Sequence, residues 1–567
     1  MEANATNRPT ALKRFINLLS VDKKDIYSLY IYAVFGGIIS LSLPLGIQAI
    51  INLIGSGQIT TSWILLTILV TFGIGFSGIL QIMQLKIVEN IQQKIFTRSA
   101  FEFSFRIPRI RMESLSDKYV PELMNRFFDT VNIQKGTAKI LMDFSTSSVQ
   151  VIFSLILLSF YHPFFMVFSI VLLLLVFIIF RFSVPSGVKT SYKESSHKYE
   201  VAHWLEEIAR NQYSFKLASI SPIPMGNTDA KVLDYLKARK KHFKILLLQY
   251  GNLVAFKTII IAGLLGIGGF LVIDEQMNIG QFVAAEIIIV LMLGSIEKLI
   301  LNVESIYDLL TSVEKVASVT DLPLEKEPTY PSTQQQFLSL EFENFVLGSE
   351  SDYQIIHVEE LTIKSKEKIC LSGRTGSGKS KFLKILAGFY SEFEGRFTID
   401  GVPIDAYGLE KWREKVGNSL LLQKEDLFEG SLLENLSPDN PNANWEDLKP
   451  LADIVGLSHF IENLSEGIHT RISSTGDGIP EEMKLKIKLV RSLFGKPSLI
   501  LLDDNLDRLR HHERNRIVDY MITCDKTVVL ATNNREVLEK FDRVITMENG
   551  SIKYDQRPMK SHNNSNQ

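Results

Sequence analysis

Gly373-Arg374-Thr375-Gly376-Ser377-Gly378-Lys379-Ser380 decides how this sequence is read. The apolar run Ile369-Cys370-Leu371 leads into it and Phe382-Leu383-Lys384-Ile385-Leu386 follows at helical spacing. G-x-x-x-x-G-K-S therefore sits in the strand, loop, helix context that gives it meaning. Glycines allow successive backbone N–H groups to wrap a polyphosphate, Lys379 compensates the β/γ charge, and Ser380 offers a hydroxyl to Mg²⁺. All eight residues are candidate nucleotide contacts. A metal bound beside phosphates wants oxygen ligands, so a carboxylate is expected at the end of a buried strand elsewhere. Leu499-Ile500-Leu501-Leu502-Asp503 supplies it, and Asp503 with Ser380 forms the predicted metal pair.

Working outward, the alternating soluble pattern begins near Phe337 and is preceded by a polar linker, 326–337. The predicted nucleotide-binding domain covers 338–556, and a polar tail, 557–567, closes the chain. Residues 1–325 have a different character. A spanning helix needs about 20 apolar residues, and six stretches qualify: 26–54, 63–85, 144–161, 164–180, 245–273 and 279–296. The fold class expected is a six-helix membrane domain followed by an α/β domain of the phosphate-loop NTPase type.

Lys and Arg are retained on the cytoplasmic side of spanning segments. Lys23 and Lys24 precede the first span, Lys86, Lys94, Arg98 and Arg106 follow the second, and Arg181, Lys189 and Lys193 follow the fourth. The opposite loops, 55–61, 162–163 and 274–278, hold neither residue, so both termini are expected in the cytoplasm. Apolar spacing in the two long connections predicts helices that continue beyond the bilayer. Lys257 falls near the inner interface by this reading. Glu286, inside the sixth span, is a candidate pathway residue or an outer-interface residue.

Charge and cysteine counts exclude other classes. Lys and Arg number 61 against 63 Asp and Glu, so there is no basic excess to bind nucleic acid. Cys370 and Cys524 are the only cysteines, too few for a disulfide framework or a four-thiolate zinc site.

With these motifs in place, the sequence resembles the ATP-binding-cassette exporters, in the arrangement of bacterial peptide and type I secretion exporters. The segment from Leu422-Gln423-Lys424 to Glu434-Asn435-Leu436 is similar to that family's Q-loop. The resemblance makes Gln423 the glutamine that links metal, water and membrane domain. Pro121-Glu122-Leu123-Met124-Asn125-Arg126-Phe127 and Ile279-Gly280-Gln281-Phe282-Val283-Ala284 resemble membrane-domain segments, so the likeness runs from about Leu12 to Tyr554. It implies ATP and Mg²⁺ as cofactors, a bacterial inner membrane, and a dimer in which each ATP lies between one phosphate loop and the other subunit's L-S-G-G-Q signature.

Several positions depart from the family pattern. Ile479-Pro480-Glu481-Glu482-Met483 stands at the signature, where Pro480 removes an amide and two acids bring negative charge to a helix N-terminus. As structure alone, that is an ordinary helix start. Asp504 stands where the family has its catalytic glutamate and is one methylene shorter, which makes a general base in reach of water doubtful. Asn533 replaces the switch histidine and cannot change charge. Asn505-Leu506-Asp507 differs from the family's loop, and near the adenine stand Leu347 and Gly348, with Tyr353 a weak aromatic substitute. Asp504, Gln423 and Asn533 remain the candidate catalytic set.

The functional expectation is an exporter half that binds ATP between dimerised nucleotide-binding domains, with weak hydrolysis. Its partners would be the membrane, a second half-transporter in a homodimer or in a heterodimer with an intact half, a periplasmic adaptor, and the exported substrate. The alternative is an ATP-binding membrane regulator or scaffold that does not transport.

Overall fold

The computed structural model describes residues 10–55, 61–116, 118–218, 221–330, 339–348, 355–417, 419–421, 427–440, 442–473, 478–495, 497–503 and 506–557. Two compact units result. The first comprises Met1–Pro108 with Lys118–Leu322, the second Arg109–Asp117 with Pro323–Gln567.

The first unit is helical: α1 (Ala11–Ser20), α2 (Lys23–Ser40), α3 (Ser42–Gly55), α4 (Thr61–Arg106), α5 (Val120–Met124), α6 (Asp129–Lys139), α7 (Ser145–Ser159), α8 (Pro163–Arg210), α9 (Gln212–Leu217), α10 (Ile223–Gly263), α11 (Gly269–Ile273), α12 (Ile279–Leu301) and α13 (Val303–Thr320). Among the described residues five helical stretches are long and apolar enough to cross a membrane: Lys23–Ile54, Thr61–Arg109, Val120–Ser159, Ile223–Ile273 and Ile279–Thr320. The expected fourth span opens α8, whose described apolar part is Pro163–Leu172. At 1.5 Å per residue, a 51-residue stretch such as Ile223–Ile273 runs for about 76 Å, more than twice the hydrocarbon thickness. A helical stretch of this length exceeds what a bilayer alone requires.

Burial follows helical periodicity. Ala284, Ile288, Met292 and Ile296, spaced four apart on α12, are fully enclosed, and the last three pack in a cluster with Leu158, Phe165 and Leu253. Lys257 finds Glu297 on α12 at 2.7 Å, so the charge that interrupts α10 is paired across helices. Glu286 is half-buried. In the helical extensions Asp129 is buried and accepts from the Tyr199 hydroxyl and from Ser312 Oγ, the latter at 3.4 Å. The Arg126 guanidinium lies 3.9 Å from the centre of the Tyr199 ring. Burial and the neighbouring carboxylate push the Tyr199 hydroxyl well above its ordinary pKa, so it stays a proton donor.

The second unit is built on a ten-stranded mixed sheet. Its strands are β1 (Ser339–Leu347), β2 (Ile356–Lys364), β3 (Lys368–Ser372), β4 (Glu394–Ile399), β5 (Val402–Pro403), β6 (Leu420–Leu421), β9 (Leu499–Leu502), β10 (Thr527–Ala531), β11 (Arg543–Glu548) and β12 (Ser551–Gln556), while β7 (Gly430–Ser431) and β8 (Arg471–Ile472) form a separate pair. The order is β5-β4-β1-β2-β12-β11-β3-β10-β9-β6, parallel from β11 to β6. The central parallel strands β9 and β10 are buried and apolar on both faces, as helices cover both. Leu499, Leu501, Val529 and Ala531 enter one core with Phe382 and Leu386 of the helix Lys379–Leu386. Ile500, Leu502, Val528 and Leu530 point the other way, into a core with Ile487 and Met521. The two-residue alternation of a strand thus fills two cores from one sequence run.

Residues 109–116 belong to this second unit although they follow the second apolar helix in sequence. Glu113 Oε1 accepts from the backbone N–H groups of Ser391 at 2.6 Å and Glu392 at 2.9 Å, and Arg111 pairs with Glu392 at 2.6 Å. Ile110 makes an antiparallel bridge with Leu324.

Candidate functional site

β3 ends at Ser372, the chain turns through the phosphate loop, and helix Lys379–Leu386 starts at Lys379. Gly373, Gly376 and Gly378 take φ values of +147°, +85° and +105°, which glycine adopts without a Cβ clash. At Gly373 the requirement is also one of space, since a Cβ there would come within 2.4 Å of the Met547 carbonyl oxygen. The loop is pinned by Ser377 N–H to Arg374 O at 3.0 Å and Gly550 N–H to Ser377 O at 3.0 Å. Lys379 Nζ folds over it, donating to Gly373 O at 2.5 Å and Arg374 O at 3.3 Å. Ser377 Oγ is buried without a hydrogen-bond partner. A buried orphan donor facing a ring of glycines is what a phosphate oxygen would satisfy.

Ser380 and Asp503, 123 residues apart, meet beside this loop. Ser380 Oγ donates to Asp503 Oδ2 at 2.7 Å, and Asp503 is buried at the end of β9. This hydroxyl and carboxylate are hard oxygen donors. No cluster of three or more His, Cys, Asp or Glu side chains stands among the described residues, so a cation here would draw the rest of its ligands from phosphate and water.

Asn533 follows β10 and closes the other side of the loop. Its Oδ1 accepts from Gly373 N–H at 3.0 Å and from Ser372 Oγ at 3.2 Å. The structure therefore brings Asn533 to the loop and gives it a positioning contact. Gln423, Asp504 and Tyr353 lie outside the described residues. Leu347 is buried in the sheet core, which leaves no ring at that position.

The segment expected to carry the signature begins the helix Glu481–Leu493, with Pro480 as its N-cap. Pro480 O accepts from Met483 N–H at 2.8 Å and Lys484 N–H at 3.0 Å. Glu481 pairs with Lys484 at 2.8 Å and Glu482 with Lys486 at 2.7 Å. Each lysine holds its glutamate below the usual carboxylate range, chiefly through the hydrogen bond between them. Lys486 is 1% exposed and also reaches Glu513 at 2.8 Å, itself 4% exposed. Sequence reading finds the two acids but misses this buried pair, since only an apolar helix face interrupted by Lys486 hints at it.

Comparison with known proteins follows from this geometry. The family profile described as "ABC transporter" matches residues 357–507, and the one described as "ABC transporter transmembrane region" matches 28–296. The alpha-hemolysin translocation ATP-binding protein HlyB of Escherichia coli O157:H7 is 26% identical over 349 residues, 60% of this chain and 49% of that protein. The leukotoxin export ATP-binding protein LtxB of Aggregatibacter actinomycetemcomitans is 26% identical over 346 residues, 60% and 48% of the two chains. The match thus spans about half the length of these relatives. A solved bacterial Atm1-family ABC exporter with ATP bound aligns with TM-score 0.80 at 16% identity, covering 95% of this chain and 96% of that one, a likeness of fold.

Proposed function

We propose, from the premise that this chain belongs to the ABC transporter family, that it is one half of an exporter driven by ATP binding and equipped for only slow hydrolysis. Family membership carries the ATP-binding domain and the multi-pass membrane region with it. The observation that carries the rest is the Ser380–Asp503 pair at 2.7 Å beside the glycine loop, on a chain that also holds five membrane-length apolar helices.

Each residue of the site has a task. The amides of 373–380 and the start of helix Lys379–Leu386 bind phosphate oxygens, Lys379 neutralises them, and Ser377 Oγ gains the partner it lacks. Ser380 and Asp503 would hold Mg²⁺, which when bound shields the terminal phosphates and polarises the bond to be broken. Gln423 would orient water and metal, and Asp504 would act as a base of short reach. Asn533 fixes the loop through Gly373 N–H.

The helix start at Pro480 is the reason for proposing slow turnover. Its acids would meet the partner's ATP with negative charge at the place where the family puts small donors. A heterodimer with an intact half suits the chain better than a homodimer, because a partner would supply one complete signature. The same reading puts the chain in a bacterial inner membrane with six spans and both termini in the cytoplasm, and gives it an exported substrate and a periplasmic adaptor.

Purified full-length chain in proteoliposomes tests the proposal. Saturable MgATP binding with low turnover is expected, and turnover should rise on mixing with a candidate intact half. A chain with no affinity for MgATP would overturn it.

A further inference from the structure

The membrane-spanning helices line an open cavity of about 610 Å³, with Gln81 and Lys298 exposed in it, whose lining is unusual for its place. α2, α4, α7 and α12 contribute hydroxyls and carboxamides, among them Ser77, Gln81, Ser147, Gln150 and Ser295, and one cation, Lys298. No Asp or Glu lines it. Polar groups inside a spanning bundle are costly unless they meet one another, water or a cargo.

Two details show that the lining is arranged. Gln150 on α7 is held at both ends of its carboxamide, Oε1 accepting from Ser40 Oγ at 2.6 Å and the NH₂ facing the buried Ser154 Oγ at 3.5 Å. Gly78 and Gly294 face open space, for a Cβ built on either meets nothing within 4 Å. Two of the helices that line the cavity thus carry no side chain at these positions.

The charge chooses the ligand. Glu297, next to Lys298, is committed to Lys257 at 2.7 Å, and no carboxylate pairs with Lys298 within 4 Å among the described residues. Lys298 stands 19 residues after the start of α12, roughly 28 Å along the helix and so near the inner face of the bilayer. A cavity of this size suits a small molecule. We infer that it is a cargo-binding subsite for a small organic anion, a carboxylate or phosphate head on a partly apolar body, with Lys298 taking the charge and Gln81 and Gln150 the neighbouring polar groups. The inference rests on the exporter reading above and adds the substrate class.

Fluorescence titration of the full chain in nanodiscs tests it with a dansyl-labelled hexanoate, the phosphate monoester of the corresponding hexanol, and the hexanoate's primary amide. Saturable binding of at least one anion is expected, about 10-fold tighter than the amide, and the comparison of the two anions tells which head is preferred. Lys298→Gln should abolish that preference and Lys298→Arg should keep it. Gly78→Phe and Gly294→Phe, which fill the void without touching the nucleotide domain, should weaken all three probes while MgATP binding persists. Equal affinity for anion and amide, no binding of any probe, or an unchanged preference in Lys298→Gln would overturn the inference. Absence of MgATP binding in the unmodified chain would strike the exporter reading instead.

Discussion

Two helix N-termini in the nucleotide unit receive opposite treatment. At Lys379 the chain arrives through glycines, folds a lysine over the loop carbonyls and keeps Ser377 Oγ without a partner. At Glu481 it arrives through a proline and fills the first turn with acids paired to that helix's own lysines. The same partial positive charge of a helix start is thus offered outward in one place and answered internally in the other. Under the proposed function, a composite site would need both ends, and this chain would furnish one.

Replacing the buried cation breaks the second arrangement most severely. Lys486→Ala leaves the buried Glu513 with only Arg510, at 4.0 Å, as a counter-charge, and should cost about 3–5 kcal/mol of stability, read as a lower denaturation midpoint. A loss under 1 kcal/mol would mean that water or a shift of Arg510 replaces the ammonium. Lys379→Ala attacks the first arrangement directly. Removing a charge-assisted contact of about 1.5–3 kcal/mol should weaken MgATP binding roughly 10- to 100-fold, with the melting curve of the nucleotide-free chain almost unmoved.

Sharpening the contrast requires gains of function. Asp504→Glu restores the carboxylate's reach and should raise ATP turnover about 10-fold, a modest share of what a well-placed base contributes. No gain would assign the limit to the helix start at Pro480. The smallest effect is electrostatic. Glu482 is held below its usual pKa by Lys486, so its contribution exists above the unfolded value of about 4.3 and is lost as pH falls through the lower folded value. Wild type should lose slightly more thermal stability than Glu482→Gln between about pH 5 and 3.

How much of this was legible depended on distance along the chain. The phosphate loop is eight contiguous residues whose spacing is itself the signal, and β9 announces Asp503 by ending an apolar run, so the Ser380–Asp503 pair was readable from two local patterns. Lys486 and Glu513 lie on different helices and carry no shared motif; a lysine on an apolar face means little until its partner is seen. Sequence position places residues 109–116 within 1–325, after an apolar span, yet Glu113 accepts from the backbone amides of Ser391 and Glu392. Only tertiary contact assigns them. Asn533 was legible as a departure but not as a hydrogen-bond acceptor, since its role depends on where β3 and β10 end side by side.

That clasp between a carboxamide and Gly373 N–H has a consequence for the conditions under which the protein works. An imidazole in this position would acquire a proton as the surroundings acidify and would turn from acceptor to donor. Asn533 has no such second state, so the grip on the loop should be the same in mildly acid and mildly alkaline surroundings. Nucleotide occupancy would then track the supply of ATP and ignore the proton.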